Sequence, residues 1–334
     1  MDIIKSLIQI LKKTEMKRNL FLIGFLIASM AGLAQQPDTL IKKLDSLSKK
    51  TDSAGGQTNN TNPAAYNENT RLTFGSYFIL LGSDLKQAFT KPFHMKRRDW
   101  KYLGLAVAGT AALTLVDRPI QRAALKFRNE HPGLQNTSKY ITNFGGPYEA
   151  YTLAAFGAYG FLFKNHKMQT TTLLATQAYI TGAAVESVVK YISGRTRPSF
   201  YDPNTVAKPT FKGPFSISRD YTGARTNSSF PSGHTTVAFA AATVFALEYK
   251  NKPWVPILAY SAASLIGLSR ITENKHWTSD VVVGAALGYL TGRQVVNNYH
   301  RYAKLKAPKQ KNTISFTMNY MDGVLMPGVV YKFR

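Results

Sequence analysis

The chain has 334 residues, no cysteine, and 42 lysines and arginines against 18 aspartates and glutamates, a formal net charge of +24. That length suits one domain with extensions or two small domains, and a chain without cysteine has no disulfide, no thiolate catalysis and no zinc site of the cysteine type. The positive balance favours anionic partners: phosphates, anionic lipid headgroups or nucleic acid. Nucleic acid is set aside, because the basic residues are scattered between apolar segments and no nucleic-acid-binding motif is visible.

Met1 to Glu15 is a short amphipathic stretch with lysines. Met16 opens a better-formed signal: Lys17 and Arg18 as a charged region, Leu20 to Met30 as an apolar core, and Gly32-Leu33-Ala34 as a small-residue cleavage site. Residues 1–34 therefore read as a signal peptide starting at Met16, with an uncleaved anchor as the alternative. Residues 35–71 are polar without apolar period and read as a flexible linker. Leu72 to Phe89 has the character of an amphipathic helix. Lys91 to Lys101, with His94, Arg97, Arg98 and Trp100, is either a membrane-surface anchor or a solvated connector. Residues 72–101 together form a membrane-proximal segment.

Six apolar segments follow, at about 102–116, 148–163, 169–192, 234–249, 254–269 and 279–293. Their frequent Ala and Gly permit close helix packing. Most run near fifteen residues, short against the roughly twenty needed to cross hydrocarbon. Glu186, inside the third, is expected to face the bundle interior. Three polar motifs sit at the segment ends: Lys190-Tyr-Ile-Ser-Gly-Arg-Thr-Arg197-Pro198, then Pro231-Ser232-Gly233-His234, then Ser269-Arg270 followed after five residues by His276-Trp-Thr-Ser-Asp280. With up-and-down connectivity, the ends carrying Lys190, His234, Arg270 and Asp280 meet at one end of the bundle. The turns at the other end (Lys164 to Lys167, Lys250 to Lys252) are basic, which would make that side cytoplasmic if the helices cross a membrane. A cleaved signal followed by the basic stretch at 91–101 argues the reverse. The short segments favour a soluble or peripheral bundle in the periplasm, and the reading adopted is a membrane-associated protein of a bacterial-type cell envelope with its pocket facing the periplasm. A soluble periplasmic protein is the alternative.

Ser199 to Phe230 is long for a structureless loop and is expected to shape the substrate entrance. Residues 300–311 read as a basic linker. From Asn312 to Arg334 the period changes: Ile314, Phe316, Met318 and Tyr320 alternate with polar residues, and Asp322-Gly323 signals a turn. This predicts a β-hairpin packed on the bundle or on an envelope partner.

As chemistry, the motifs are the parts of an oxyanion pocket. Lys190, Arg197 and Arg270 can surround a tetrahedral dianion. Ser232 and Gly233 stand where a helix begins and can offer a hydroxyl and a backbone N–H to it, although Ser232 also suits a plain N-cap. On a helix His276 and Asp280 share a face, so the carboxylate can orient the ring, leaving His234 as general acid. Only Asp280 is acidic among three cations, so a divalent metal would be repelled and no metal is expected.

In series the motifs match K-x6-RP, PSGH and SR-x5-H-x3-D. From roughly Tyr102 to Tyr299 the chain resembles the type 2 phosphatidic acid phosphatase (PAP2) family, which includes class A acid phosphatases and vanadium haloperoxidases. The resemblance implies an all-α fold, a six-helix PAP2-type bundle over 102–299, and a two-step phosphatase without cofactor. In it Lys190, Arg197, Ser232, Gly233 and Arg270 bind the phosphoryl group, and His276 attacks with Asp280 behind it. His234 protonates the leaving oxygen and later deprotonates water. The implied partner is a phosphate-bearing lipid, phosphatidic acid or isoprenyl diphosphate in type, at an anionic membrane surface. The alternatives are a broad acid phosphatase acting on small soluble phosphomonoesters, and a haloperoxidase with vanadate as prosthetic group; in a phosphatase vanadate would be an inhibitor.

Overall fold

The computed structural model describes residues 72–201, 207–214, 216–219, 223, 225–306, 313–321 and 324–332, with side chains as far as 303. The signal peptide, the polar linker, residues 307–311 of the basic linker and the Asp322-Gly323 turn lie outside the described residues. Residues 300–306, expected as linker, continue the last helix because nothing in their sequence breaks it. Among the described residues there are eight α-helices followed by two strands: the helix expected at 72–89, the six expected in the bundle, and one more, Pro132–Asn143, between the first two of those six.

Helix α1 (Phe74–Thr90) starts at a capping box between Thr73 and Ser76 and buries Ser76, Leu80, Ser83, Asp84 and Ala88 on one face. A 3-10 turn (Lys91–His94) leads into α2 (Arg97–Glu130), which carries Pro119 within it. Then come α3 (Pro132–Asn143), α4 (Pro147–Leu162), α5 (His166–Ser193), α6 (Gly233–Glu248), α7 (Trp254–Thr272) and α8 (Thr278–Lys306). Strands β1 (Thr313–Met321) and β2 (Val324–Lys332) pair antiparallel, with Thr313 opposite Lys332 and Met321 opposite Val324.

The helices outrun the apolar segments that announced them. Helix α2 has 34 residues, α5 has 28 and α8 has 29. The physical reason is that apolar content marks only the packed part of a helix, whereas polar residues such as Gln121, Arg122 and Asn298 continue it. Two of them, Arg97–Glu130 and Trp254–Thr272, are long and apolar enough to cross a membrane. Large apolar side chains stand exposed on α2, α4 and α7, among them Leu105, Tyr151, Leu162, Ile257 and Leu265. So broad an uncovered apolar surface marks contact with lipid or another protein.

Helix α3, which the apolar pattern does not reveal, is mostly polar but buries Ser138 and Thr142 against α7: Ser138 shares a hydrogen bond with Thr272 (2.8 Å) and Thr142 one with Ser269 (2.7 Å).

Helix α6 is the centre, packed by α5, α7 and α8 and apolar on nearly every face, as a fully enclosed helix should be. Helix α8 lies almost on its backbone. Gly284, Gly288 and Gly292 recur every four residues, and a Cβ on any of them would collide with the carbonyl of Ser232, Thr236 or Ala240 on α6. Small residues at that spacing permit so close an approach. The outcome is that the N-terminal ends of α6 and α8 sit side by side, where the motifs are.

Candidate active site

The first motif leaves α5 through Gly194, a left-handed cap (φ 52°) whose missing side chain makes room for the Gly213 carbonyl. The chain then runs back over the bundle end. Ser193 Oγ donates to the Phe230 carbonyl (2.7 Å), Ser229 N–H to the Arg195 carbonyl (2.9 Å), and Arg197 N–H to the Thr226 carbonyl (3.0 Å). These bonds lash the long loop to its own two ends, so the first motif lies directly against the second.

Around that seam stand the residues singled out by sequence. Ser232 is the N-cap residue of α6, but its Oγ accepts from Thr235 Oγ1 (2.8 Å) and makes no side-chain cap bond. His234 lies beneath the Gly145-Gly146 turn: a Cβ on Gly146 would come within 3.1 Å of its Nε2. Lys190 pairs with Glu186 (2.8 Å), and Arg270 pairs with Glu273 (2.8 Å). Asp280 is therefore not the lone acid near the cations, as the motifs alone suggested. Helical spacing of four and three residues puts a carboxylate beside each. The Nε atoms of Arg197 and Arg270 are buried without a hydrogen-bond partner among the described residues.

His276 is buried at 2 % exposure and lies before α8 begins, not on it. Its Nδ1 meets the Ser229 carbonyl at 2.7 Å, while Asp280 Oδ2 is 3.7 Å away. A carbonyl only accepts, so Nδ1 carries the proton and Nε2 presents its lone pair. The expected direct bond from Asp280 to the ring is thus replaced by a backbone carbonyl. The carboxylate is engaged elsewhere: Oδ2 accepts from Trp277 N–H (2.9 Å) and Ser229 Oγ (2.5 Å), and Oδ1 takes the Arg195 guanidinium. Reaching back to Trp277 is the capping geometry that starts α8, which is why His276 stays outside the helix.

Arg195, passed over in the motif spacer, is the hub of this arrangement. Fully buried, it bonds Asp280 and Ser279 Oγ (2.7 Å) through Nη1 and Asp117 (2.5 Å) through Nη2. Asp117, on α2, also accepts from Ser279 N–H (2.8 Å) and Oγ (2.6 Å). The Phe211 ring lies 4.7 Å from the guanidinium carbon. The sequence did carry a signal for both: a second arginine two residues before Arg197, and a lone aspartate at the end of an apolar run, where an acid needs a partner.

The electrostatics follow from burial. Desolvation pushes His234 down to about 3, helped by Arg270, His276, Lys190 and Arg197. Desolvation also pushes His276 down to about 3, against the opposing pull of Asp280. Both rings are neutral at pH 7. For Asp280, burial is outweighed by Arg195, His276 and Ser229 together, and the carboxyl stays below its ordinary value. Among the described residues no group of three or more His, Asp or Glu could hold a metal ion.

Comparison with known proteins agrees with the motifs. Residues 171–303 match the model of the PAP2 superfamily. Lipid A 1-phosphatase of Porphyromonas gingivalis is 48 % identical over 81 residues, 24 % of this chain and 18 % of that protein. Lipid phosphate phosphatase 1 of Arabidopsis thaliana is 30 % identical over 158 residues, 40 % of this chain and 48 % of that protein. The chain thus spans half or less of the length of these two relatives. A transmembrane PAP2 type phosphatidylglycerolphosphate phosphatase from Bacillus subtilis, of known structure, aligns at a TM-score of 0.43 and 24 % identity, covering 60 % of this chain and 94 % of that one. The matched segment, 171–303, holds all three motifs and is similar to the PAP2 superfamily.

Proposed function

We propose that the chain is a metal-independent phosphatase acting on lipid-linked phosphomonoesters or diphosphates at a membrane, through a phosphohistidine at His276. One observation carries the reading: buried guanidinium nitrogens of Arg197 and Arg270 lack partners beside a neutral imidazole with its Nε2 lone pair unprotonated. Unpaired buried donors of this charge ask for an anion.

The phosphoryl group docks against Lys190, Arg197, Arg270, Ser232 and the Gly233 N–H. His276 Nε2 attacks phosphorus as the ester P–O bond breaks. The Ser229 carbonyl, with Asp280 behind it, stabilises the imidazolium that forms. His234 gives its proton to the departing alkoxide, then takes one from the water that attacks the phosphohistidine and frees phosphate. His234 needs that proton first. A bound dianion offsets the three surrounding cations, Arg270, Lys190 and Arg197, and lifts the ring towards its charged form. Charge stabilisation by the cations supplies most of the rate.

Names of relatives favour lipid substrates, as do the two long apolar helices. Purified protein is expected to release phosphate from phosphatidic acid or an isoprenyl diphosphate and from p-nitrophenyl phosphate, unchanged by a chelator. Loss of activity on chelation, or no release from any of the three, would overturn the reading.

The pocket is read as periplasmic, because Lys164, Lys167, Lys250 and Lys252 crowd the opposite end. The chain has no cysteine, so single cysteines can report sidedness. In intact cells a membrane-impermeant maleimide should label Lys275→Cys and spare Lys164→Cys, and the opposite pattern would refute this orientation.

A further inference from the structure

Beside the phosphate pocket lies a cavity of about 580 Å³ that the chemistry above does not use. It runs between α4, α6 and α7, walled by Leu153, Phe156, Ala238, Ala242, Leu258 and Ile266. It adjoins the pocket directly. Gly145 packs so tightly on Ile266 and His234 that a Cβ there would overlap the isoleucine, and Gly146 lies against His234 Nε2. Ala238 stands one helical turn beyond His234, and the cavity continues along α6 to Tyr249, about 22 Å from the histidine at 1.5 Å per residue. At that end its rim opens outward through Trp254 and Leu258, which are 59 % and 60 % exposed.

One acidic group interrupts the apolar wall near its head. Glu149 is in the first turn of α4, its N–H bonded to the carbonyl of Gly146, the glycine that touches His234. It is 6 % exposed, and neither carboxyl oxygen has a hydrogen-bond partner among the described residues. Burial pushes its carboxyl up to about 8, so it keeps its proton at neutral pH. A protonated acid in an apolar wall is a donor without an acceptor, and buried polar groups in native proteins are seldom left so.

We propose that this cavity holds one acyl chain of the substrate lipid, and that Glu149 donates a hydrogen bond to that chain's ester carbonyl. This rests on the phosphatase reading and goes further, because it chooses between lipid classes that present the same terminal phosphate. An acylated lipid brings a carbonyl oxygen within a few bonds of its phosphate. An isoprenyl chain brings only hydrocarbon, and Glu149 would remain unpaired against it. Continuity with the phosphate pocket and the outward-opening apolar rim argue for the lipid's own chain as the occupant.

The test uses the full chain in detergent micelles with non-hydrolysable phosphonate analogues of phosphatidic acid, brominated along the acyl chain. The analogues are made with ester or ether linkages, beside a brominated isoprenyl phosphonate. Bromine in the cavity quenches Trp254 fluorescence, and Trp254→Phe identifies that signal. The ester probe should bind wild type about tenfold more tightly than the ether or isoprenyl probe, the size of one hydrogen bond to a buried donor. Glu149→Gln, which keeps a donor, should retain the preference, and Glu149→Leu should erase it. Equal binding of ester and ether probes by wild type, an unchanged preference in Glu149→Leu, or no quenching of Trp254 would each overturn the proposal. Quenching with the ester preference but no phosphate release from any substrate would instead sink the phosphatase reading and leave the cavity assignment standing.

Discussion

His276→Ala is expected to lower kcat by at least about 10⁴-fold on every phosphate ester, the scale on which a lost nucleophile acts. The ring is 2 % exposed, and its Nδ1 is committed to the Ser229 carbonyl at 2.7 Å. Only Nε2 is left to meet substrate, and of the two neutral imidazoles near the cations it is the one whose other nitrogen is fixed by a backbone carbonyl. Because burial holds the ring's pKa to about 3, the lone pair is present at all ordinary pH values. His276→Asn separates chemistry from folding: its amide can still donate to Ser229 but cannot accept a phosphoryl group. It should stay folded, bind phosphate and turn over nothing. His234→Ala should leave His276 able to attack an activated aryl phosphate, whose leaving group needs no proton, but slow release, so that an acid-labile, alkali-stable phosphoryl label accumulates on the protein. Turnover by His276→Asn within tenfold of wild type would remove the residue from the mechanism.

Arg195→Met should be the most damaging change to the site among residues that do not touch substrate. The guanidinium joins Asp117 of α2 and Asp280 of α8 with no exposed surface on any of the three. Its loss leaves two buried carboxylates without their shared cation, and breaking a buried pair in that way costs about 3–5 kcal/mol. A fall in thermal midpoint of several degrees is expected, with proton uptake by one of the two acids. Arg195→Lys keeps the charge but loses the fork that spans both carboxylates, and should recover only part of the stability. Asp117→Asn with Arg195→Met relieves the repulsion and should be more stable than Arg195→Met alone, yet still impaired in kcat, because Asp280 no longer holds Ser229 and through it the His276 ring. A double variant as active as wild type would reduce Arg195 to a purely structural role.

Arg195 also shows where local reading stops. The K-x6-RP spacing drew attention to Lys190 and Arg197, the proposed anion ligands, and treated the six residues between as spacer. The partner that gives Arg195 its meaning, Asp117, is 78 positions away. No local period connects them. His276 and Asp280 invited a similar shortcut. Their spacing suits one helical face, but Asp280 instead accepts from the Trp277 N–H and the helix starts at Thr278, two residues after His276, leaving the ring to Ser229, 47 positions upstream.

From the chain of letters alone came the three motifs, the alternation of helix direction that gathers their ends, and the chemistry of cations around two imidazoles. These are local quantities, set by spacing, side-chain type and apolar period. Folding decided the rest: helix α3 and the Gly145-Gly146 turn over His234, the Arg195 hub, the Ser229 carbonyl on Nδ1, and the cavity that Glu149 helps to line. Each depends on which surfaces distant helices bury against one another, and burial converts Glu149 into a neutral donor and both histidines into uncharged rings.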